Sequence, residues 1–127
     1  MINVDALYDA FALVFTFQTL MWLAIGVTIG VGVGAMPGLT ATTGVALMLP
    51  LTFTMDTAAA LGLLIGLYKG AIYGGSISAI SFATPGTSEA AATVFDGFKM
   101  MRSGKGRKAL LMALYSSVTA DFLSDVI

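Results

Sequence analysis

Apolar positions Val4, Leu7, Tyr8, Phe11 and Val14 recur at helical spacing, with Asp5 and Asp9 set to one side. This predicts an amphipathic helix over 4–14 lying at a membrane surface, or else the first turns of one longer spanning helix. Beyond it the pattern changes from a stripe to near-uniform apolarity. Residues 17–35 form the first span, about 28 Å long at 1.5 Å per residue and so matched to the hydrocarbon thickness. Thr16 and Thr19 are placed to cap the turn into it. Met36-Pro37-Gly38 ends the span, because Pro lacks an N–H and Gly permits turn dihedrals. Residues 39–53 are apolar again but reach only about 22 Å as a helix, which leaves a half-helix, a re-entrant hairpin or a thin span open. Asp56 reads as the N-cap of a span over 57–83. That helix would be about 40 Å long unbroken, so a tilt or a break is expected. Thr84-Pro85-Gly86-Thr87 stops it, Ser88 to Lys108 reads as a polar connector, and 109–127 begins a further span.

Composition sharpens this reading. Charged residues make up only 10% of the 127 and apolar ones 57%, and mean hydropathy is +0.93. No Asp, Glu, Lys or Arg falls between Asp9 and Asp56 or between Lys69 and Glu89. Such stretches need lipid or other helices around them. The fold class expected is therefore all-α: a polytopic helical membrane protein, a partial bundle whose helices are broken at Pro-Gly motifs, forming one membrane domain over 1–127. The net charge of −1 gives no sign of nucleic-acid binding. Cysteine and histidine are absent, which removes disulfides, thiolate chemistry and the commonest general base and metal ligand. No enzyme, metal site or cofactor is expected. A cleaved signal peptide is not expected either, since Asp5 and Asp9 lie in the first ten residues with no Lys or Arg.

Two rows of small residues stand out. Gly26, Gly30 and Gly34 fall every fourth residue in the first span, and Ala58, Gly62, Gly66, Gly70, Gly74 and Ser78 repeat that step in 57–83. Each row lines one ridge of its helix and lets a neighbouring backbone come close. Gly30-Val31-Gly32-Val33-Gly34 also mimics a dinucleotide loop, but it lacks the preceding strand, the following helix and the downstream acid.

Candidate chemistry lies in the interrupted helices. Pro37, Gly38, Thr40 and Thr42 form one interruption followed by hydroxyls, and Pro85, Gly86, Thr87 and Ser88 form another. Tyr73, Gly74, Gly75 and Ser76 mark a third weak place. Broken helices expose N–H groups at membrane depth, and those attract anions such as carboxylates. The alternative is that the Pro-Gly pairs are interfacial turns. Lys69 lies mid-segment, where an ionisable group costs about 2.5–3.5 kcal/mol on insertion scales. It serves either as a contact for a carboxylate or as a snorkelling side chain. Asp121 and Asp125, one helical step apart on one face, suit a coupling cation or proton, or face missing bundle interior. The basic cluster Lys99, Arg102, Lys105, Arg107 and Lys108 faces the cytoplasm by the positive-inside rule. The N-terminus is then outside if 39–53 crosses and inside if it re-enters.

The stretches Gly32-Val-Gly-Ala-Met-Pro-Gly38, Leu47-Met-Leu-Pro-Leu-Thr-Phe53, Tyr73-Gly-Gly-Ser-Ile-Ser-Ala-Ile80, Pro85-Gly86 and Phe95-Asp-Gly97 resemble the large permease subunit of the tripartite tricarboxylate transporter family, in order and spacing along essentially the whole chain. The resemblance implies an ion-gradient-driven secondary transporter for tri- or dicarboxylates, multi-pass in the bacterial inner membrane, with sodium or a proton as coupling cation. It also implies two partners, a small membrane subunit and an extracytoplasmic substrate-binding protein. The family's large subunit is several times longer, so this chain is expected to be its N-terminal portion. Many relatives carry Tyr where Lys69 stands, which confines any Lys69 contact to a subgroup. The rival reading is a small oligomerising membrane protein using its glycine ridges for self-assembly, or a non-functional truncated fragment.

Overall fold

A computed structural model describes residues 4–127. It is all-helical, with no strand among the described residues. Helix α1 covers Val4–Val14, α2 Phe17–Ala35, α3 Ala41–Thr52 and α4 Thr57–Phe82. A short α5 at Ala91–Thr93 leads into two π-helical turns, Val94–Phe98 and Met101–Lys105, and α6 runs Gly106–Val126. Three stretches, Phe17–Ala35, Thr57–Phe82 and Met101–Val126, are long and apolar enough to cross a membrane. The protein is a polytopic α-helical membrane protein.

The centre of the fold is the α2–α4 pair, and glycine makes it. A Cβ added at Gly26, Gly30 or Gly34 would run into the backbone of Leu63, Leu67 or Ala71 respectively. In return, Gly62, Gly66, Gly70 and Gly74 of α4 lie against Thr19, Leu23, Val27 and Val31 of α2. The two ridges legible in the sequence are therefore each other's partner. In lipid, apolar side chains gain little by leaving hydrocarbon, so such backbone-to-backbone contact is a main source of helix cohesion. Leu63, Leu67, Ala71, Ala79 and Ile80 are fully buried along α4.

Residue numbers rise together along both helices of this pair, so α2 and α4 run parallel. The chain between Ala35 and Thr57 must then travel back to the end where α2 began. Helix α3 supplies that return, about 18 Å for its twelve residues. Residues 41–52 form one continuous helix that carries the chain back alongside the α2–α4 pair. Gly44 seats α3 between α2 and α4, 3.0 Å from Val33 Cγ1 and Leu67 Cδ2 measured from an added Cβ.

Several local expectations are corrected. Thr16 holds the N-cap position of α2 without capping it; its hydroxyl donates back to the Ala12 carbonyl, and that of Thr19 to Leu13. Both hydroxyls find acceptors in the preceding turn rather than donors ahead. Helix α4 is unbroken through Tyr73–Ser78. Gly costs about 1 kcal/mol against Ala in a helix, but a break in lipid would strand backbone groups without water. Instead, Gly74 and Gly75 use their missing side chains to admit neighbours, and the Ser78 hydroxyl donates to the Gly75 carbonyl. The 88–108 connector is largely helical. Gly97 packs on Ile80, and Gly104, with φ +79°, makes the kink before α6. Asp56 does cap α4, its carboxylate accepting from the Ala58 N–H.

Candidate functional site

Each Pro-Gly loop is built by a helix that has run out of donors. At the end of α2, Met36 donates to the Val33 carbonyl and Leu39 to Met36, around Pro37, which has no N–H. Gly38 sits at φ +90°, a conformation open to glycine at no steric cost. Thr40 then caps α3: its hydroxyl accepts from the Thr43 N–H at 3.2 Å and lies 2.9 Å from the Thr43 hydroxyl. Pro37, Gly38, Thr40 and Thr42 are all exposed.

At the end of α4, Ala83 adopts a left-handed conformation, φ 56°, and turns the chain back on itself. Residues 85–87 then fold against the helix pair they have just left. Gly86 lies on the Gly34 carbonyl, and a Cβ there would come 2.9 Å from Ser78 Oγ and 3.1 Å from the Gly75 Cα. Thr87 covers Gly75. It is only 4% exposed, and its hydroxyl has no hydrogen-bond partner among the described residues. Ser88 stays exposed, while the carbonyls of Thr87 and Ser88 accept from Ala90 and Ala91.

Because α2 and α4 are parallel, both Pro-Gly loops lie at one end of the pair. Gly86 touches Gly34, one helical turn before Gly38. Sequence reasoning paired these loops by composition; the parallel packing is what makes them neighbours. Within Tyr73–Ser76 the roles divide. Gly74 faces α2 and Gly75 faces Thr87, whereas Tyr73 and Ser76 each line a cavity on the α6 side of α4.

The charged candidates come together elsewhere. Helix α6 runs antiparallel to α4, so Ala109 lies near Ile80 and Asp121 reaches Lys69. Lys69 Nζ forms an ion pair with Asp121 and lies 3.8 Å from Asp125 Oδ1. Lys69 and Asp121 border a cavity of about 510 Å³ whose walls include Val27 and Val31 of α2, Tyr73 of α4 and Ser117 of α6. The pairing answers the cost of Lys69 at mid-span, since an opposite charge is the usual companion of an intramembrane ion. Within the cavity wall the Lys69 ammonium and the Asp121 carboxylate offset each other, and Asp125 stands outside it on the exposed side of α6. The loop that follows α4 carries one acid, the exposed Glu89, two residues after Thr87. Ser117 and Ser124, which share the cavity wall, were not singled out in the sequence, because hydroxyls on an apolar helix carry no pattern of their own.

A second cavity of about 350 Å³ lies between the end of α4, the first π-helical turn and α6, with Ser76, Thr93, Asp96 and Ser116 in its walls. No group of three or more acids placed to hold a metal ion occurs among the described residues.

Residues 20–127 match the model of the Tripartite tricarboxylate transporter TctA family. Among curated proteins, the chain is 38% identical over 108 residues to an uncharacterized 52.8 kDa protein in the TAR-I ttuC' 3' region of Agrobacterium vitis. That alignment covers 85% of this chain and 22% of the relative, so the chain spans about a fifth of the curated protein it matches. No solved structure matches it.

Proposed function

The chain belongs to the tripartite tricarboxylate transporter TctA family, and from that premise we propose that it forms part of a permease subunit carrying tri- or dicarboxylates across a bacterial inner membrane. An ion gradient drives the uptake, with sodium or a proton as the coupling cation. A small membrane subunit and an extracytoplasmic binding protein complete the system and deliver the substrate. The family is one of transporters rather than enzymes.

The carboxylate contact is the end of the α2–α4 pair where the two Pro-Gly loops meet. A carboxylate entering the bilayer must exchange its water for other donors. The first backbone N–H groups of α3, at Ala41 and Thr42 beside the first Pro-Gly loop, together with hydroxyls, supply them without a buried positive charge. The observation that carries this assignment is Thr87: a buried hydroxyl in a Pro-Gly loop that makes no hydrogen bond among the described residues. Buried donors are nearly always paired, so one left free has a reason. A substrate carboxylate provides the missing acceptor.

The rival reading, self-assembly through free glycine ridges, loses its main support, because Gly26–Gly34 and Gly62–Gly74 are already occupied by each other. The test of the transport reading is accumulation of radiolabelled tri- and dicarboxylates by proteoliposomes holding the complete permease, its small subunit and the binding protein. Accumulation that collapses when the ion gradient is dissipated supports it; no uptake of any carboxylate sinks it.

A further inference from the structure

We propose that the outward face of the segment between α5 and α6 binds the phosphate headgroups of anionic phospholipids, through Lys99, Arg102 and the cations that follow them into α6. The site is separate from the carboxylate contact at the Pro-Gly loops, and it stands whether or not the transport reading holds.

The segment has two faces. Thr93, Gly97 and Met100 turn inward: Gly97 packs on Ile80, and all three line the cavity shared with α4 and α6. Phe95, Lys99 and Arg102 follow one another at steps of four and three, which puts them together on the opposite side. All three are exposed, Phe95 by 80%. The Arg102 guanidinium stands over the Phe98 ring, 6.0 Å from its centroid, and is held beside that face. Lys105, Arg107 and Lys108 continue past the Gly104 kink and are exposed as well. These five cations are all but one of the chain's Lys and Arg residues, and only two acids, Glu89 and Asp96, share the 88–108 stretch with them. None of the five forms an ion pair among the described residues. Neither cavity bordering α6 takes any of them into its wall, so they are not placed for a ligand held inside the fold. Their depth identifies the counter-charge. Helix α6 has 21 residues, about 32 Å, which fills about 30 Å of hydrocarbon and leaves Lys99 to Lys108 at the level of the headgroups. Basic clusters there draw anionic lipid, each cation adding to the attraction. The exposed Phe95 ring suits the boundary between headgroups and acyl chains. A zwitterionic headgroup offers no net charge and is not favoured.

Lipid binding tests this without any transport substrate. The complete permease is purified in a neutral detergent and titrated with phosphatidylglycerol, or with phosphatidylcholine of the same acyl chains, and the lipid retained through gel filtration is counted by mass spectrometry. The wild type prefers phosphatidylglycerol, and the preference shrinks as salt is raised, because exposed charges are screened. Lys99→Gln with Arg102→Gln lowers the affinity for phosphatidylglycerol by about thirtyfold and leaves that for phosphatidylcholine unchanged. Lys99→Arg with Arg102→Lys keeps the charge and keeps the binding. Each variant is checked for an unchanged elution profile; if the first pair fails to assemble, Lys105→Gln with Arg107→Gln carries the same test. Equal phosphatidylglycerol retention by the wild type and a normally eluting Gln variant overturns the proposal, and so does a charge-keeping variant as weak as the Gln one. Loss of the small membrane subunit from the Gln variant, with lipid retention unchanged, would give this face to a protein partner instead and overturn it as well.

Discussion

Thr87 rests directly on Gly75: a Cβ built on that glycine would lie 2.6 Å from the threonine hydroxyl and 3.0 Å from its backbone nitrogen. The contact ties the Pro85-Gly86-Thr87 loop to the last third of α4, about two turns before the point where the chain leaves the helix. Gly75→Ala should therefore displace the loop rather than the helix. Ala favours the helix by about 1 kcal/mol over Gly, against about 1–3 kcal/mol for crowding a packed site. The expected outcome is carboxylate uptake reduced by at least about tenfold, equivalent to about 1.4 kcal/mol, with little change in thermal stability. Normal uptake would mean that the loop's seat on α4 does not matter for transport.

The paired ridges predict a sharp contrast within α2 and α4. Gly66→Leu drives a side chain into the Leu23 carbonyl, whereas nothing lies within 4 Å of a Cβ at Gly32. Overpacking of the first kind costs about 1–3 kcal/mol or more. Thermal unfolding of the complete permease in detergent should show a clearly lowered midpoint for Gly66→Leu and a near-normal one for Gly32→Leu. Equal midpoints would place the α2–α4 contact elsewhere.

Parallel α2 and α4 also fix relative sidedness. Gly38 and Ser103 lie toward one end of the α2–α4 pair, and Thr54, in the α3–α4 turn, lies toward the other. With the basic 99–108 segment in the cytoplasm, single cysteines at Gly38 and Ser103 should resist an impermeant thiol reagent applied to intact cells, and one at Thr54 should react. Labelling of Gly38 and Thr54 from the same side would show that α3 re-enters instead of crossing.

The sequence revealed the membrane class because uninterrupted apolar runs and the scarcity of charge admit few other environments. It also revealed the glycine ridges, whose four-residue step is a local signal. It did not reveal that Gly30 meets Leu67, because that match depends on α3 carrying the chain back, and α3 is too short to announce itself as a span. Tyr73–Ser78 read as a weak place from propensity alone, yet packing against Val31 and Thr87 holds it helical. Lys69 and Asp121 are 52 residues apart, and only their opposite charges in otherwise apolar helices hinted at a pair. The seat of Thr87 was hidden for the same reason: a left-handed Ala83 folds the loop back, and alanine carries no signal for that turn.

The most direct test of the carboxylate assignment is Thr87→Val, which removes the hydroxyl and keeps the shape. The hydroxyl makes no hydrogen bond among the described residues, so its loss should leave thermal stability unchanged or slightly raised, since an unsatisfied buried polar group costs about 1–3 kcal/mol. Concentration-dependent uptake of labelled carboxylate by the complete reconstituted system should show KM raised about tenfold, as about 1.4 kcal/mol of lost substrate interaction requires. A stable Thr87→Val permease with unchanged KM would contradict the account and place the substrate away from this loop.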